Sequence, residues 1–260
     1  MAYQFIIVER DGPITVITLN RPEVMNAVHS PMHFEMDQAL AAFAADPEQW
    51  IGIITGAGER AFSAGNDLKY QASGGEMKSP PSGFAGLTSR FDLTKPLIAA
   101  VNGVAMGGGF EIALACDLIV AAETAVFALP EPRVGLAALA GGLHRLPRAI
   151  GVKRALGMIL TGRRVSAREG YELGFVNEVV PAGELMAAAR RWAGLIGELS
   201  PMSVRASKAA VMRGLDEPSL EAAIVGQRRY EAVAALFRSQ DFVEGPRAFA
   251  EKRPPRWTGA

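Results

Sequence analysis

Residues 106–111 read MGGGFE, three consecutive glycines one residue ahead of a glutamate. Glycine is needed where a ligand or another chain must come close to the backbone, or where φ is positive. A helix that opens directly after such a turn offers unpaired N–H groups and the positive end of its dipole. Those are the parts of an oxyanion hole, donors that meet negative charge developing on a carbonyl oxygen, with Glu111 in the first turn beside the bound carbonyl. The same residues also fit a tight packing turn followed by an ordinary first-turn acid. The stretch alone supports both readings equally. FSAGND, residues 62–67, supplies a second candidate donor, the N–H of Ala64 next to Gly65. PEPRVGL, residues 130–136, holds Glu131 between two prolines with apolar flanks. A carboxyl group in apolar surroundings has a raised pKa and can exchange protons near neutrality; the plainer reading is a loop glutamate in water. Two carboxylates beside a pair of N–H donors suit proton traffic next to a carbonyl: hydration, dehydration or isomerisation through an enolate.

Other candidates are weaker. ITGAGERA, residues 54–61, fits the phosphate turn of a dinucleotide fold, but turn residues follow where a helix should open, and no acid closes a second strand. AFSAG around Ser63 nearly matches a nucleophile elbow, with His144 as its partner and no assigned acid; a buried serine beside a turn explains it as well. His29 and His33 are four apart, yet Pro31 lies between them and two ligands are too few for a metal, so partly exposed side chains on an entry turn are expected. Cys116 reads as a small core residue. No metal and no separate cofactor is expected.

These groups need a frame. The 260 residues contain 27 Lys plus Arg and 27 Asp plus Glu, so the balance lacks the basic excess of a nucleic-acid binder. A single cysteine excludes an intrachain disulfide and suits a reducing compartment. MAYQFIIVERDG has no basic leader, and no stretch reaches the roughly 18 apolar residues of a membrane span. A soluble, cytoplasmic protein without membrane contact is expected. Phe5–Val8 and Ile14–Leu19 form a strand pair turned at Asp11-Gly12-Pro13. Ser30-Pro31 starts a helix to Ala45, with Ser30 as N-cap. Further strands are expected at Trp50–Thr55, Leu97–Val101, Leu118–Ala121, Ala125–Ala128 and Val176–Val180, with helices between several of them, the pattern of an α/β fold with parallel pairings. Gly74–Gly86, rich in Gly, Ser and Pro, reads as a mobile surface loop. After Ser200-Pro201 only helices are expected: one starting there, one from Pro218 to about Arg238, and a last one broken at Gly245-Pro246. This places a boundary near residue 200, with 1–200 as the core and 201–260 as a helical region.

The blocks LNRPEVMNA (19–27), AFSAGNDLK (61–69), KPLIAAVNGVAMGGGFEIALACDL (95–118), the run from Pro130 to Gly151, TGRRVSAREGYELGFVNEVVP and EGPRAFAEKRPPRW together resemble the crotonase superfamily, and within it an enoyl-CoA hydratase. The resemblance spans nearly the whole chain. It implies a spiral of ββα units with a C-terminal helical trimerisation region, a homotrimer or dimer of trimers, and an acyl-CoA thioester as substrate, coenzyme A being part of that substrate. It implies an oxyanion hole from the N–H groups of Ala64 and Gly108, and catalytic roles for Glu111 as base and Glu131 as proton donor. Contacts to coenzyme A are implied for Arg21, Ala61, Asn66, Asp67, Leu68, Lys69, Phe249 and Lys252. Glu23 stands close to where the family often has a lysine, Asn66 sits where alanine is common, and AALAGG replaces a proline-containing version. The last two departures bear on the acyl group, which the Gly74–Gly86 loop is expected to border. Alternatives are a specialised dehydratase of carnitinyl-CoA type, an isomerase, and a non-catalytic RNA or partner binder, which should have lost a glutamate or gained a basic stripe. KRALGMILTGRR is basic but short.

Overall fold

The computed structural model describes residues 3–260 and divides into two compact units, 3–90 with 97–191, and 91–96 with 192–260. The division falls inside a helix, Leu185–Gly197, rather than at the Ser200-Pro201 turn.

The first unit is built around two sheets. Strands β1 (Ile6–Asp11), β2 (Ile14–Leu19), β3 (Ile51–Gly56), β5 (Leu97–Val101), β7 (Leu118–Ala122) and β10 (Glu178–Val180) lie side by side in that order. Only the first pair is antiparallel. β3 and β5 are buried along their whole length, which is why they read as unbroken apolar runs rather than alternating ones. A second sheet holds β4 (Ala61–Ser63), β6 (Val104–Met106), β8 (Val126–Ala128) and β9 (Val165–Ser166). The chain alternates between the sheets: β3 leads to β4, β5 to β6 and β7 to β8, each pair followed by a helix, the ββα spiral the resemblance implied. The sequence signal for β4, β6 and β9 was too short to register, since strands of two or three residues carry no periodicity.

Helix α1 runs over Ser30–Ala45 as expected, but His29 rather than Ser30 occupies the N-cap. The Ser30 hydroxyl instead donates to the Glu76 carbonyl and accepts the Lys78 N–H. It thereby ties the 74–86 segment to α1. That segment ends in a short 3-10 turn, Phe84–Gly86, with Ala85 buried. The remaining helices of this unit are α2 (Leu68–Ala72), α3 (Gly108–Ala115), α4 (Gly142–Ile150), α5 (Val152–Thr161) and α6 (Ala167–Leu173), followed by α7 (Leu185–Gly197), in which the division falls.

The second unit contains α8 (Pro201–Gly214), α9 (Leu220–Gly226), α10 (Glu231–Leu236) and α11 (Gln240–Glu251). Ser200 caps α8. The helix expected from Pro218 to Arg238 is split into α9 and α10 by a 3-10 turn at Gln227–Arg229. Pro246 does not break the last helix. It sits inside α11, although an interior proline costs about 3 kcal/mol. Ser239 caps the helix at Phe242, and Glu244 is held in a bidentate pair by Arg253 at 2.6 and 2.9 Å. None of the described helices is long and apolar enough to cross a membrane.

Candidate active site

Each of the three glycines ahead of Glu111 makes room for a different group. Gly107 has φ +53°, and a Cβ there would lie 2.7 Å from Glu131 Oε1. A Cβ on Gly108 would press into the Phe84 ring, and one on Gly109 would collide with the Ser63 carbonyl. The triplet therefore brings β4, Phe84 and the Glu131 carboxylate up against the first turn of α3. Helix α3 begins at Gly108 with its N–H groups unpaired in the first turn.

Glu111 stands in that turn and is only 3% exposed. Its Oε1 accepts the N–H of Gly142, the first residue of α4, at 2.8 Å. Burial pushes its pKa up to about 7, and the nearby Glu131 carboxylate adds to the rise, while the Gly142 N–H pulls the other way. Glu131 opens a 3-10 turn, Glu131–Val134, directly after Pro130. Its carboxyl pKa is also raised, chiefly by burial, and its Oε2 is sealed off with no partner among the described residues. Glu111, Glu131, Gly108 and Asn66 all line one cavity of about 280 Å³. His33, Met77, Lys78, Phe84 and Leu139 complete much of its wall. The 74–86 segment thus borders this cavity, as expected.

One expected donor is displaced. The Ala64 N–H is already donated to the Met25 carbonyl at 2.9 Å, and Ala64 is not part of the cavity wall. A committed N–H cannot also bind an incoming oxygen, so Ala64 does not serve. Gly65, at φ +87°, turns the chain, and a Cβ there would lie 2.8 Å from the Gly108 nitrogen. The next residue, Asn66, reaches the cavity, and its N–H has no acceptor among the described residues. The N–H without an acceptor thus lies two residues beyond the one read from FSAGND, since no sequence cue tells which N–H beside a turn glycine is already paired.

The residues expected to contact coenzyme A fall in different surroundings. Arg21 is paired with Asp67 at 2.9 Å and donates to the Ala27 carbonyl at 2.5 Å. Asp67 in addition caps α2 by accepting from the Tyr70 N–H. Both side chains are nearly buried, and their pair ties two loops together. Ala61 is 1% exposed and its carbonyl accepts from Asn26 and Asn102. Leu68 and Lys69 are exposed on α2. Phe249, 88% exposed, lies on α11 in the other unit, and Lys252 is that helix's C-cap. Ser63 is sealed and donates to the Asn26 carbonyl, which makes it the buried serine rather than a nucleophile. His29 and His33 are both buried, against the expectation of partial exposure, because Phe5 and Tyr70 cover His29 and Phe84 covers His33.

The likeness to known proteins follows the same outline. The enoyl-CoA hydratase/isomerase family model matches residues 9–260. The carnitinyl-CoA dehydratase of Salmonella typhi is 46% identical over 254 residues, covering 96% of this chain and 97% of that protein. An enoyl-CoA hydratase from Mycobacterium marinum superposes with a TM-score of 0.92 at 41% identity, over 98% of this chain and 99% of that one. A carnitinyl-CoA hydratase from Mycobacterium avium gives 0.79 at 42% identity over the full length of both. With the ββα spiral present and the match running almost end to end, the chain belongs to the enoyl-CoA hydratase/isomerase family of the crotonase superfamily and is a hydro-lyase of hydratase/dehydratase type.

Proposed function

We propose that the protein adds water reversibly to a trans-2-enoyl-CoA, giving the 3-hydroxyacyl-CoA, or removes it in the reverse direction. The observation that carries this reading is the placement of two carboxyls with raised pKa, Glu111 buried and Glu131 half-buried, on the wall of one cavity, beside the unpaired N–H of Gly108 at a helix start. The thioester oxygen sits between the N–H groups of Gly108 and Asn66, and the α3 dipole adds to their pull. Ionised Glu111 takes a proton from water as the water oxygen bonds to Cβ. The π electrons move to Cα, and the resulting enolate oxygen is held by the two N–H groups. Protonated Glu131 then delivers its proton to Cα. A pKa near 7 keeps Glu111 able to act as base at neutral pH, and the raised pKa of Glu131 keeps its proton available.

Leu68 and Lys69, exposed on α2, are offered as contacts for the nucleotide end of the substrate. A homotrimer or pair of trimers is supported by the large apolar side chains left exposed in the helical region, among them Val211, Leu215, Leu220, Val225 and Phe249. A cytoplasmic location and the absence of a separate cofactor remain part of this reading. The names of the carnitinyl-CoA relatives favour a second reading, dehydration of a 3-hydroxyacyl-CoA carrying a quaternary ammonium group. An isomerase could work with one carboxyl, and a non-catalytic binder would need neither; two retained and perturbed glutamates count against both. Incubating pure protein with crotonyl-CoA and following the conjugated absorbance, with product identification, tests the proposal. Unchanged absorbance across short and medium enoyl thioesters refutes it, and a shifted double bond in place of a hydroxyl points to isomerisation.

A further inference from the structure

His33 is the buried titratable side chain in the cavity that the proposed mechanism leaves unused. It lies on the first turn of α1, is 2% exposed, and lines the same cavity as Glu111 and Glu131. Its Nδ1 accepts the Ala85 N–H at 2.7 Å. An imidazole nitrogen that accepts a hydrogen bond carries no proton, so the ring hydrogen sits on Nε2. Burial, with a smaller push from His29, brings the His33 pKa down to about 4, so the ring is neutral in ordinary buffers. Nε2 has no partner among the described residues, yet it is not among the buried polar atoms left without one; it opens onto the cavity. The ring is fixed in place, packed edge-on against Phe84 at 4.6 Å between centroids. The tip of Phe84 in turn lies against Gly108. A rigid, uncharged donor thus stands one aromatic ring away from the amide proposed to hold the thioester oxygen.

We infer that His33 is a specificity-determining residue whose Nε2–H binds an uncharged oxygen, a hydroxyl or carbonyl, on the acyl group beyond the reacting carbons. This rests on the hydratase reading above. An acyl group that fills the cavity displaces solvent from this N–H, and a donor left unpaired in that way is costly, so a ligand that supplies an acceptor is favoured over a hydrocarbon that cannot. A carboxylate fits less well. The lysine on the cavity wall, Lys78, is paired with Glu76 at 2.8 Å, and a neutral imidazole does not balance a buried anion. A trimethylammonium group fits worse still, because it offers no acceptor to the N–H.

The test compares three thioesters with the pure protein: crotonyl-CoA, 4-hydroxycrotonyl-CoA, and the 4-trimethylammonio analogue. The wild type is expected to show a kcat/KM for the hydroxylated substrate about tenfold above crotonyl-CoA, the span of one neutral hydrogen bond. In His33→Asn the amide oxygen can still accept the Ala85 N–H while the distal donor is gone, so the ratio should fall toward one. His33→Gln keeps a distal N–H and should retain much of the preference. A wild-type ratio near one, a preference for the trimethylammonio thioester, or an equal fall for every substrate in His33→Asn overturns the inference while leaving the hydratase reading intact. Turnover of none of the three overturns both.

Discussion

Glu111→Gln should make the protein inactive yet more stable at alkaline pH. In the folded state the Glu111 carboxyl is held at about 7, against 4.5 for an unperturbed one, mainly by burial. A raised carboxyl pKa means that the fold binds this proton more tightly than the unfolded chain does. Stability from this group is therefore complete below pH 4.5 and is lost as the pH climbs to about 7. At ~1.4 kcal/mol per pH unit, that difference comes to ~3 kcal/mol of strain from burying the ionised form. Glutamine is nearly isosteric, keeps an oxygen to accept the Gly142 N–H at the position now 2.8 Å away, and carries no charge. The variant should match wild type at pH 4.5 and exceed it by up to ~3 kcal/mol at pH 8, an advantage of several degrees in melting temperature for a chain of this size. Denaturant titrations of both proteins at pH 4.5, 6 and 8, at one protein concentration, provide the assay. If the stability gap does not grow with pH, the carboxyl is not in a low-dielectric site, and the case for Glu111 as a tuned base fails with it.

The same pKa predicts that hydration slows as pH drops below about 7, as the base becomes protonated, and a kcat/KM profile that is flat to pH 5 contradicts this. Glu131→Gln should lower kcat by roughly 10²–10⁴ with little change in the KM for crotonyl-CoA; a purely KM effect would recast Glu131 as a binding group. Gly109→Ala would drive a Cβ into the Ser63 carbonyl and should cost ~3 kcal/mol or more, since backbone on both sides cannot yield; soluble, fully active protein would show that β4 and α3 are not tightly apposed. Arg21→Ala should behave as a stability mutant, losing about 3 kcal/mol through the nearly buried Asp67 left behind, whereas Lys69→Ala should raise KM for the thioester without lowering the melting temperature. The reverse pattern in steady-state kinetics and melts would restore Arg21 as the phosphate contact.

The long parallel strands and α1 were legible because their signals are local: unbroken apolar runs such as WIGIIT and LIAAV, a Ser-Pro entry and an Asp-Pro exit. The presence of two chemically competent glutamates and a glycine-opened helix could likewise be read from residue type and spacing. The sequence alone determined the class of chemistry and the layered frame that houses it. Tertiary structure decided which N–H groups face the cavity and which side chains are already spoken for. Ala64 and Asn66 flank the same turn glycine, but only one donates to Met25. Arg21 and Asp67 looked available until the fold brought them within 2.9 Å of each other, 46 positions apart in the chain. His33 became a cavity donor through Ala85, a partner 52 residues away. Contacts over such separations follow from how the spiral closes, and local propensity carries no record of them.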